Sequence, residues 1–484
     1  MLRKLLWSLA VATLVGCSRS PQDVLRETAR SMGVADLKTL QYSGSGYNFA
    51  VGQSFNPNSP WPRFNVKSYR RMIDYAAGAS QEELVRTQAE NPPRGGGQQP
   101  IVGEQRQVLV VSGNYAWNVA GETATAAPAA VEERQLQLWL TPHGWLKAAL
   151  QNNPKVESRT VNGRTVTVVS FTAQGKWNLS GVINEQDVVE KIETRMANPV
   201  LGDMPVEVEY SEYKDFGGVK FPTRIVQRQG GYPTLELTVT SVQPNAAVAL
   251  PVPDAVRQAA IPPIRVEPQK VAAGVWYLAG SSHNSVLVEF QDFVMVIEAP
   301  LNEERSEAVI AEVKKLVAGK PIRYLVNTHH HFDHSGGLRT YVAEGATIVT
   351  QAMNKPFYEQ TFQAPRTLSP DRLLRTPLEA KFEAFTDKFE LTNGSQTIQL
   401  HLIQGNTHNE GIILAYLPRE RLLIEADVFT PPAPGAPPPA APSPFTVNLY
   451  ENLQRLGLRI DRILPIHGRV VPFAELLKAL GRSA

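Results

Sequence analysis

The chain has 484 residues, with 48 Lys and Arg against 46 Asp and Glu, and a formal net charge of +2 at pH 7. Binding to phosphate backbones needs a concentrated basic surface, so this balance argues against nucleic acid as a partner. The hydrophobic content of 43% and charged content of 19% exclude a disordered chain. The length predicts two domains rather than one.

The N-terminal segment reads MLRKLLWSLAVATLVGCSRS. A basic start, Arg3 and Lys4, precedes an apolar run from Leu5 to Val15, which is too short to span a bilayer as a helix. This pattern predicts a secretory signal peptide over residues 1–16 rather than part of the fold.

The end of this segment, Leu-Val-Gly-Cys, resembles the lipobox of bacterial lipoproteins. The resemblance implies cleavage before Cys17 and lipidation of that residue, which would anchor the protein to a membrane. Ser18 stands where an Asp favours retention at the inner membrane, so we expect a cell-envelope lipoprotein on the periplasmic side of the outer membrane. A plain signal peptide with a chance Cys is the alternative. Cys17 is the only cysteine, so no disulfide is expected.

Residues 17–242 predict an antiparallel, β-rich domain with one or two helices. A helix is expected from Asp23 to Met32, and alternating patterns predict strands at 164–173, 204–213 and 234–242. The segment EYKDFGGVKFPTRIV resembles the last hairpins of lipoprotein-carrier-type half-barrels, which hold an apolar ligand in a curved sheet. An ordinary antiparallel sheet is an equal alternative. An Ala- and Pro-rich stretch, residues 243–270, is expected to be a linker.

The second domain, residues 271–484, alternates strands with helices. A helix is expected after Asn302, which can cap it, and Gly319 and Pro321 end it. Several apolar strands of this domain are followed at once by a residue of metal-ligand type. Such side chains can converge on one edge of a sheet-based scaffold.

The densest group of these residues is NTHHHFDHSGG, residues 327–337. In an extended exit from a strand, His329, His331 and Asp333 point to one side and His330 points to the other. Imidazoles and carboxylates without a thiolate suit zinc or iron, and there are more of them than one metal ion needs. The ligand set predicted from the residues is His329, His331, Asp333, His334, His408, Asp427 and His467. The isolated His143, His283 and His401 are interpreted as structural or surface residues.

The order HxHxDH, G-x-x-H, Asp at a strand end and a final His-Gly resembles the metallo-β-lactamase-fold hydrolase superfamily over residues 271–484. The resemblance implies an αββα sandwich, so that the fold class of the whole chain is α+β. It also implies one metal held by His329, His331 and His408, a second held by Asp333, His334 and His467, and Asp427 bridging them. Two Zn²⁺ per chain are expected, with iron or manganese left open. Glu298 stands where many members carry an Asp that supports the ligands.

The resemblance further implies hydrolysis by a hydroxide held between two zinc ions, with Asp333 as the catalytic residue that orients it. Many true β-lactamases carry Cys or Ser where this chain has Asp427, so an ester, thioester or lactone is favoured over a β-lactam. Two alternatives remain: a mononuclear iron dioxygenase acting on persulfides, and a non-enzymatic ligand-binding lipoprotein. The Pro-rich segment 431–444 is either a wall or lid of the pocket or a surface loop. The sequence leaves the oligomeric state open.

Overall fold

The computed structural model describes residues 20–97, 100–161, 163–261, 263–436 and 441–482. The predicted signal peptide and Cys17 therefore lie outside the described residues. Within the described ranges, none of the helices has the length and apolar character needed to cross a membrane.

One antiparallel sheet organises the first domain. In the part of the chain that is described, its strands follow the spatial order β6-β5-β4-β3-β2-β1-β13-β12-β11-β10-β9-β8-β7, so that β1 and β13 pair at its centre. The strands are β1 Thr39–Phe49, β2 Arg63–Asp74, β3 Ala79–Gln88, β4 Gln105–Ser112, β5 Tyr115–Ala120, β6 Thr123–Ala126, β7 Lys155–Val161, β8 Arg164–Ala173, β9 Trp177–Ile183, β10 Val189–Asn198, β11 Gly202–Asp215, β12 Lys220–Gln229 and β13 Tyr232–Pro244.

Among the described residues of this domain, three helices pack on the sheet and share its main core, which includes Leu25 and Trp145. They are α1 Pro21–Ser31, α2 Val131–Trp139 and α3 Pro142–Gln151, with a 3-10 turn at Pro128–Ala130. The predicted first helix and the three predicted strands are present, and the β-rich character of the domain is confirmed. The prediction of one or two helices was too low, because α2 and α3 are short and their apolar periodicity is weak.

The segment predicted as a linker packs against the first domain. It contains a short helix, α4 Asp254–Arg257, whose Val256 is buried together with Val108, Val110 and Trp117. The next strand begins at Glu267, four residues before the expected start of the second domain. Four of its six residues are exposed, so it carries no apolar alternation that would reveal it in the sequence.

The second domain contains two sheets in its described residues. The first sheet runs in sequential order through β14 Glu267–Ala272, β15 Val275–Ala279, β16 Ser285–Glu289, β17 Val294–Ile297, β18 Ile322–Val326, β19 Thr347–Gln351 and β20 Phe382–Phe385. The second sheet runs through β21 Lys388–Asn393, β22 Gln396–Leu402, β23 Ile413–Leu417, β24 Leu422–Glu425, β25 Arg462–Pro465 and β26 Val471–Pro472.

The helices of this domain cover the outer faces of the two sheets. One buried cluster joins residues of both sheets, such as Val288 and Ile424, and separate clusters join each sheet to its own helices. The arrangement is the expected αββα sandwich. The helices are α5 Glu303–Leu316, α6 Phe332–Ser335, α7 Leu338–Ala343, α8 Lys355–Phe362, α9 Arg372–Arg375, α10 Pro444–Leu456 and α11 Phe473–Ala479, with a 3-10 turn at Ala352–Asn354. Asn302 caps α5 as predicted, since its side chain accepts a hydrogen bond from the Arg305 N–H.

A polar contact joins the two domains beside β11. The Asp203 carboxylate accepts hydrogen bonds from the backbone N–H groups of Thr367 and Leu368 and from the Thr367 hydroxyl. Next to it, the Arg366 guanidinium donates to the carbonyl oxygens of Asn198, Pro199 and Val200. Hydrogen bonds to a charged group are each worth roughly 1.5–3 kcal/mol, so this contact fixes the second domain on the first.

Replacing Asp203 by Asn tests this contact. Burial opposes ionisation, but the hydrogen bonds from Thr367 and Leu368 outweigh it and hold the pKa of Asp203 below its ordinary value. A depressed pKa contributes stability above the unfolded-state pKa of about 3.9, and this stability is lost as the pH falls through the folded-state pKa. We expect Asp203→Asn to lower the thermal unfolding midpoint at pH 7, at a cost of about 1–3 kcal/mol, and the difference from wild type to shrink below about pH 4.

Asp36→Asn is the matched control, because Asp36 is exposed. Equal unfolding midpoints for the two variants at pH 7 would contradict the proposed role of Asp203.

Candidate metal centre

The ends of the strands bring the predicted ligands to one edge of the sandwich. Strands β17 and β18 run parallel, as do β24 and β25, so the chain leaves each pair in the same direction. His329 follows β18, Asp427 follows β24 and His467 follows β25, whereas His408 lies in the turn between β22 and β23. The short helix α6 then returns Asp333 and His334 to the same place.

The side chains form two groups. Within each group, one ligand atom per residue lies within 4.8 Å of the others. The first group is His329, His331, His408 and Asp427, and the second is His283, Asp333, His334 and His467. The structure thus brings together all seven residues predicted from the sequence, and it adds His283.

The Asp427 carboxylate lies between the two groups. Its Oδ2 is 3.0 Å from His408 Nε2 and 3.3 Å from His329 Nε2 on the first side. Toward the second group, Oδ2 is 3.1 Å from His334 Nε2 and Oδ1 is 2.7 Å from His467 Nε2. One carboxylate therefore faces both groups, which is the position that the resemblance implies for a bridging ligand.

Each histidine of the two groups has one ring nitrogen engaged outside the centre. This engagement turns the other nitrogen toward the centre and fixes the ring, as the outer partners of metal-binding histidines do. The pairs are His329 Nδ1 with Thr328 Oγ1 at 3.0 Å, His331 Nε2 with the Ser54 carbonyl at 2.9 Å, His334 Nδ1 with Glu298 Oε2 at 2.6 Å, His408 Nδ1 with the Gly97 carbonyl at 3.1 Å, His467 Nδ1 with the Ser282 carbonyl at 3.0 Å and His283 Nδ1 with Ser282 Oγ at 2.8 Å.

The remaining histidines lack this arrangement. His330 lies on the opposite side of the chain, as the alternation predicts, and both of its ring nitrogens are engaged, by Ser54 Oγ at 2.9 Å and Asn409 Nδ2 at 3.0 Å. His143 is buried in the first domain against the Met32 carbonyl, and His401 lies on β22 beside Gln399. The positions of His143 and His401 agree with the interpretation of both as structural or surface residues, whereas the structure places His283 in the second ligand group. That residue stands alone in the loop between β15 and β16, and only the tertiary structure brings it to the other ligands.

Several inward-facing atoms are buried without any hydrogen bond among the described residues. These atoms are His329 Nε2, His331 Nδ1, His408 Nε2 and Asp427 Oδ1. Leaving a buried polar atom unsatisfied costs roughly 1–3 kcal/mol, so four of them in one place need an explanation. Divalent cations bound in the two groups would satisfy all four, and imidazole nitrogen with carboxylate oxygen is a donor set that zinc accepts. The residues present therefore fit a metal centre.

The charges around the centre also suit a cation. Burial lowers the pKa of His329 to about 4, and burial together with neighbouring imidazoles lowers the pKa of His331 well below its ordinary value, so both rings are neutral ligands. Burial opposes protonation of His334 as well, but the carboxylates of Asp427, Asp333 and Glu298 outweigh it and raise its pKa. Three carboxylates thus converge on one point, which creates a strongly negative local field.

Two of these acidic residues have backbone conformations that favour glycine. Glu298 has a φ of +76° and Asp427 a φ of +61°. Such conformations cost about 1–3 kcal/mol each and persist where the surroundings enforce them. Glu298 comes directly after β17, and Asp427 follows β24 after one intervening residue, Ala426. In each case the turn directs the carboxylate into the centre instead of along the sheet.

The first domain contributes directly to this centre. Its loop between β1 and β2 provides the Ser54 carbonyl to His331, and Gln53 Nε2 donates to Asp333 Oδ1 at 2.7 Å. The loop between β3 and β4 provides the Gly97 carbonyl to His408. Close packing supports the contact, since a Cβ on Gly52 would lie 2.3 Å from the Phe332 ring. The sequence gives no signal for these contacts, because backbone carbonyls are common to all residues.

Replacing Glu298 tests whether its carboxylate supports the metal ligands from outside the centre. Its Oε2 accepts from His334 and its Oε1 accepts from the Thr328 N–H at 2.7 Å. In Glu298→Gln, one of these two donors faces an amide nitrogen, so we expect the metal dissociation constant to rise by about 10–100-fold. The measurement is a competition titration of the full mature chain with a chromophoric chelator.

Glu304→Gln is the control, since Glu304 is exposed at the start of α5. Unchanged metal affinity in Glu298→Gln would show that this carboxylate does not support the ligands.

Comparison with known families agrees with the geometry. Residues 278–467 match the family model of the metallo-beta-lactamase superfamily. Among curated proteins, none matches the chain.

Solved structures of metallo-beta-lactamases resemble part of the chain. The enzyme from Pontibacter korlensis is 17% identical, covers 45% of this chain and 98% of its own, and gives a TM-score of 0.34. The mono-zinc form of FIM-1 from Pseudomonas aeruginosa is 19% identical over 44% of this chain and 93% of its own, with a TM-score of 0.34. The enzyme from Hirschia baltica is 19% identical, covers 44% of this chain and 96% of its own, and gives a TM-score of 0.33. No conclusion about activity follows from similarity at this level.

Proposed function

We propose that this chain, whose C-terminal domain belongs to the metallo-beta-lactamase superfamily and is a metal-dependent hydrolase, uses two zinc ions to hydrolyse an ester, thioester or lactone. The observation that carries the proposal is the pair of ligand groups with the Asp427 carboxylate between them. Zinc bound there supplies a lowered pKa for water and a Lewis acid for a carbonyl oxygen.

Asp333 is the residue of the centre that reaches solvent. Its side chain is 31% exposed, whereas the side chains of His329, His334 and Asp427 are at most 1% exposed. Gln53 holds Oδ1, and Oδ2 faces the imidazoles of the second group. In the proposed reaction, Asp333 orients the attacking water and carries its proton toward the leaving group.

The carboxylate at position 427 supports the choice of substrate class. Its Oδ2 lies 3.0 Å from His408 Nε2 and its Oδ1 lies 2.7 Å from His467 Nε2, so the carboxylate lies between the two positions instead of acting as a free acid. The resemblance associates Asp at this place with thioester hydrolases, lactonases and phosphodiesterases. β-Lactams are the less favoured substrates within the proposal.

The Pro-rich segment begins beside the centre. A Cβ on Gly468, the residue after His467, would lie 3.1 Å from the Pro431 ring, and Arg469 donates to the Pro432 carbonyl at 3.3 Å. Residues 437–440 of this segment lie outside the described residues. We propose that its start forms a wall of the substrate pocket.

A mononuclear iron dioxygenase is a weaker explanation of the same residues. It would need the first group and leave the second unused, yet His334 and His467 are buried and oriented as completely as the first group.

Outside the described residues, Cys17 is proposed as the lipid anchor of an exported protein. Helix α1 begins at Pro21, which would keep the first domain near the membrane surface.

The test is the metal content of the purified mature protein, followed by a panel of an aryl ester, an acyl thioester, a lactone and a β-lactam. We expect two zinc ions per chain and hydrolysis of one of the first three. His331→Ala and Asp427→Ala should each lose bound metal. Their kcat/KM should fall by more than about 10–100-fold, which is the cost of losing a residue that only supports a metal ligand.

His401→Ala is the control, because His401 lies on β22 away from the two groups. Full activity in His331→Ala would contradict the assignment. One iron per chain with oxidation of a persulfide would favour the dioxygenase instead.

A further inference from the structure

The loop between β15 and β16 brings an unexpected histidine to the centre. His283 lies 3.3 Å from Asp333 Oδ2 through its Nε2, and its ring centroid is 4.2 Å from that of His467. It belongs to neither of the three-residue sets that the resemblance implies. We propose that His283 is a fourth protein ligand of the second metal position. The proposal rests on the proposed function, because it presupposes that this position binds metal.

The ligand atoms of the second group are spaced as zinc ligands are. Zinc bonds of about 2.0–2.1 Å in a tetrahedron place neighbouring ligand atoms about 3.3–3.4 Å apart. In the second group, His283 Nε2 lies 3.3 Å from Asp333 Oδ2, His334 Nε2 lies 3.7 Å from the same oxygen, and His467 Nε2 lies 3.3 Å from His334 Nε2. These three separations are close to those of ligands around one ion, and all four ligand atoms lie within 4.8 Å of one another.

A simple hydrogen bond accounts less well for the position of His283. The 3.3 Å between His283 Nε2 and Asp333 Oδ2 is at the long end of the range for a hydrogen bond, and it equals the spacing of two ligands on one zinc ion. Asp333 already accepts from Gln53 through Oδ1 at 2.7 Å, so its orientation does not need His283. The outer nitrogen, His283 Nδ1, lies 2.8 Å from Ser282 Oγ, which is the same arrangement that orients the five other rings.

The loop that carries His283 is fixed before any ligand binds. Buried Arg305 donates to the His283 carbonyl at 3.3 Å and to the Leu278 carbonyl at 3.2 Å. Asn284 donates through its N–H and its Nδ2 to the Ile466 carbonyl at 2.9 and 2.8 Å, next to His467. His283 and His467 are thus tied to each other through backbone contacts. Ligands held in this way need little ordering when the metal enters.

A fourth protein ligand at the second position changes how much each position depends on Asp427. The second position would have four protein ligands besides Asp427, whereas the first would have three, namely His329, His331 and His408. Zinc prefers about four ligands, so loss of Asp427 leaves the second position better supplied with ligands than the first. We expect Asp427→Ala to weaken the first position more than the second.

The experiment adds Co²⁺ to the metal-free mature chain. In His283→Gln, the second equivalent of Co²⁺ should bind at least about tenfold more weakly than in wild type, with the first equivalent unchanged. Ser281→Ala is the matched control, since Ser281 is exposed two residues away and its replacement should leave both equivalents unchanged. A His283→Gln protein that binds both equivalents as tightly as wild type would overturn the proposal.

Wild-type protein provides an independent measure by proton NMR of the Co²⁺ form. Each ligating ring keeps its outer N–H, so six shifted exchangeable signals are expected, and His283→Gln should retain five. Two bound Co²⁺ with five signals in both proteins would reject His283 alone, whereas wild type that binds no Co²⁺ would reject the proposed function as well.

Discussion

The buried carboxylate of Asp427 is the constraint on which the rest of the centre depends. Four imidazole nitrogens lie within 3.3 Å of its two oxygens, and they come from three separate parts of the chain. Burying a carboxylate is costly unless positive charge accompanies it. Burial opposes the ionisation of Asp427, but His334 outweighs burial and holds the pKa of that carboxyl well below its usual value. The sandwich positions this charge at its edge, where metal ions can balance it.

The first domain completes the centre instead of standing beside it. Its carbonyl groups at Ser54 and Gly97 orient one histidine each of the first group, and Gln53 orients Asp333. Asp203 and Arg366 hold the two domains together at a different place. We therefore expect metal binding and domain docking to be coupled, since the outer partners of metal ligands tune their affinity. This coupling gives the β-rich domain a role whether or not it also binds a ligand of its own.

The sequence predicted most of the centre because its signals are local. These signals are four histidines and an aspartate after a buried strand, and single ligands after later strands. They predict the fold of the second domain and seven of the eight clustered residues. His283 could not be predicted, since one histidine in a loop carries no pattern and only Arg305 and Asn284 place it. The contacts of the Ser54 and Gly97 carbonyls could not be predicted either, because every residue has a backbone carbonyl. Strand β14 was missed for a third reason, since it is an exposed edge with no apolar alternation.

The central claim is that two metal ions share one centre around Asp427. Crystals of the zinc-loaded mature protein, measured at the zinc absorption edge, test it most directly. The account predicts two anomalous peaks about 3.5–4 Å apart, one within each ligand group and both next to Asp427. A single peak, or peaks away from His329 and His334, would contradict it.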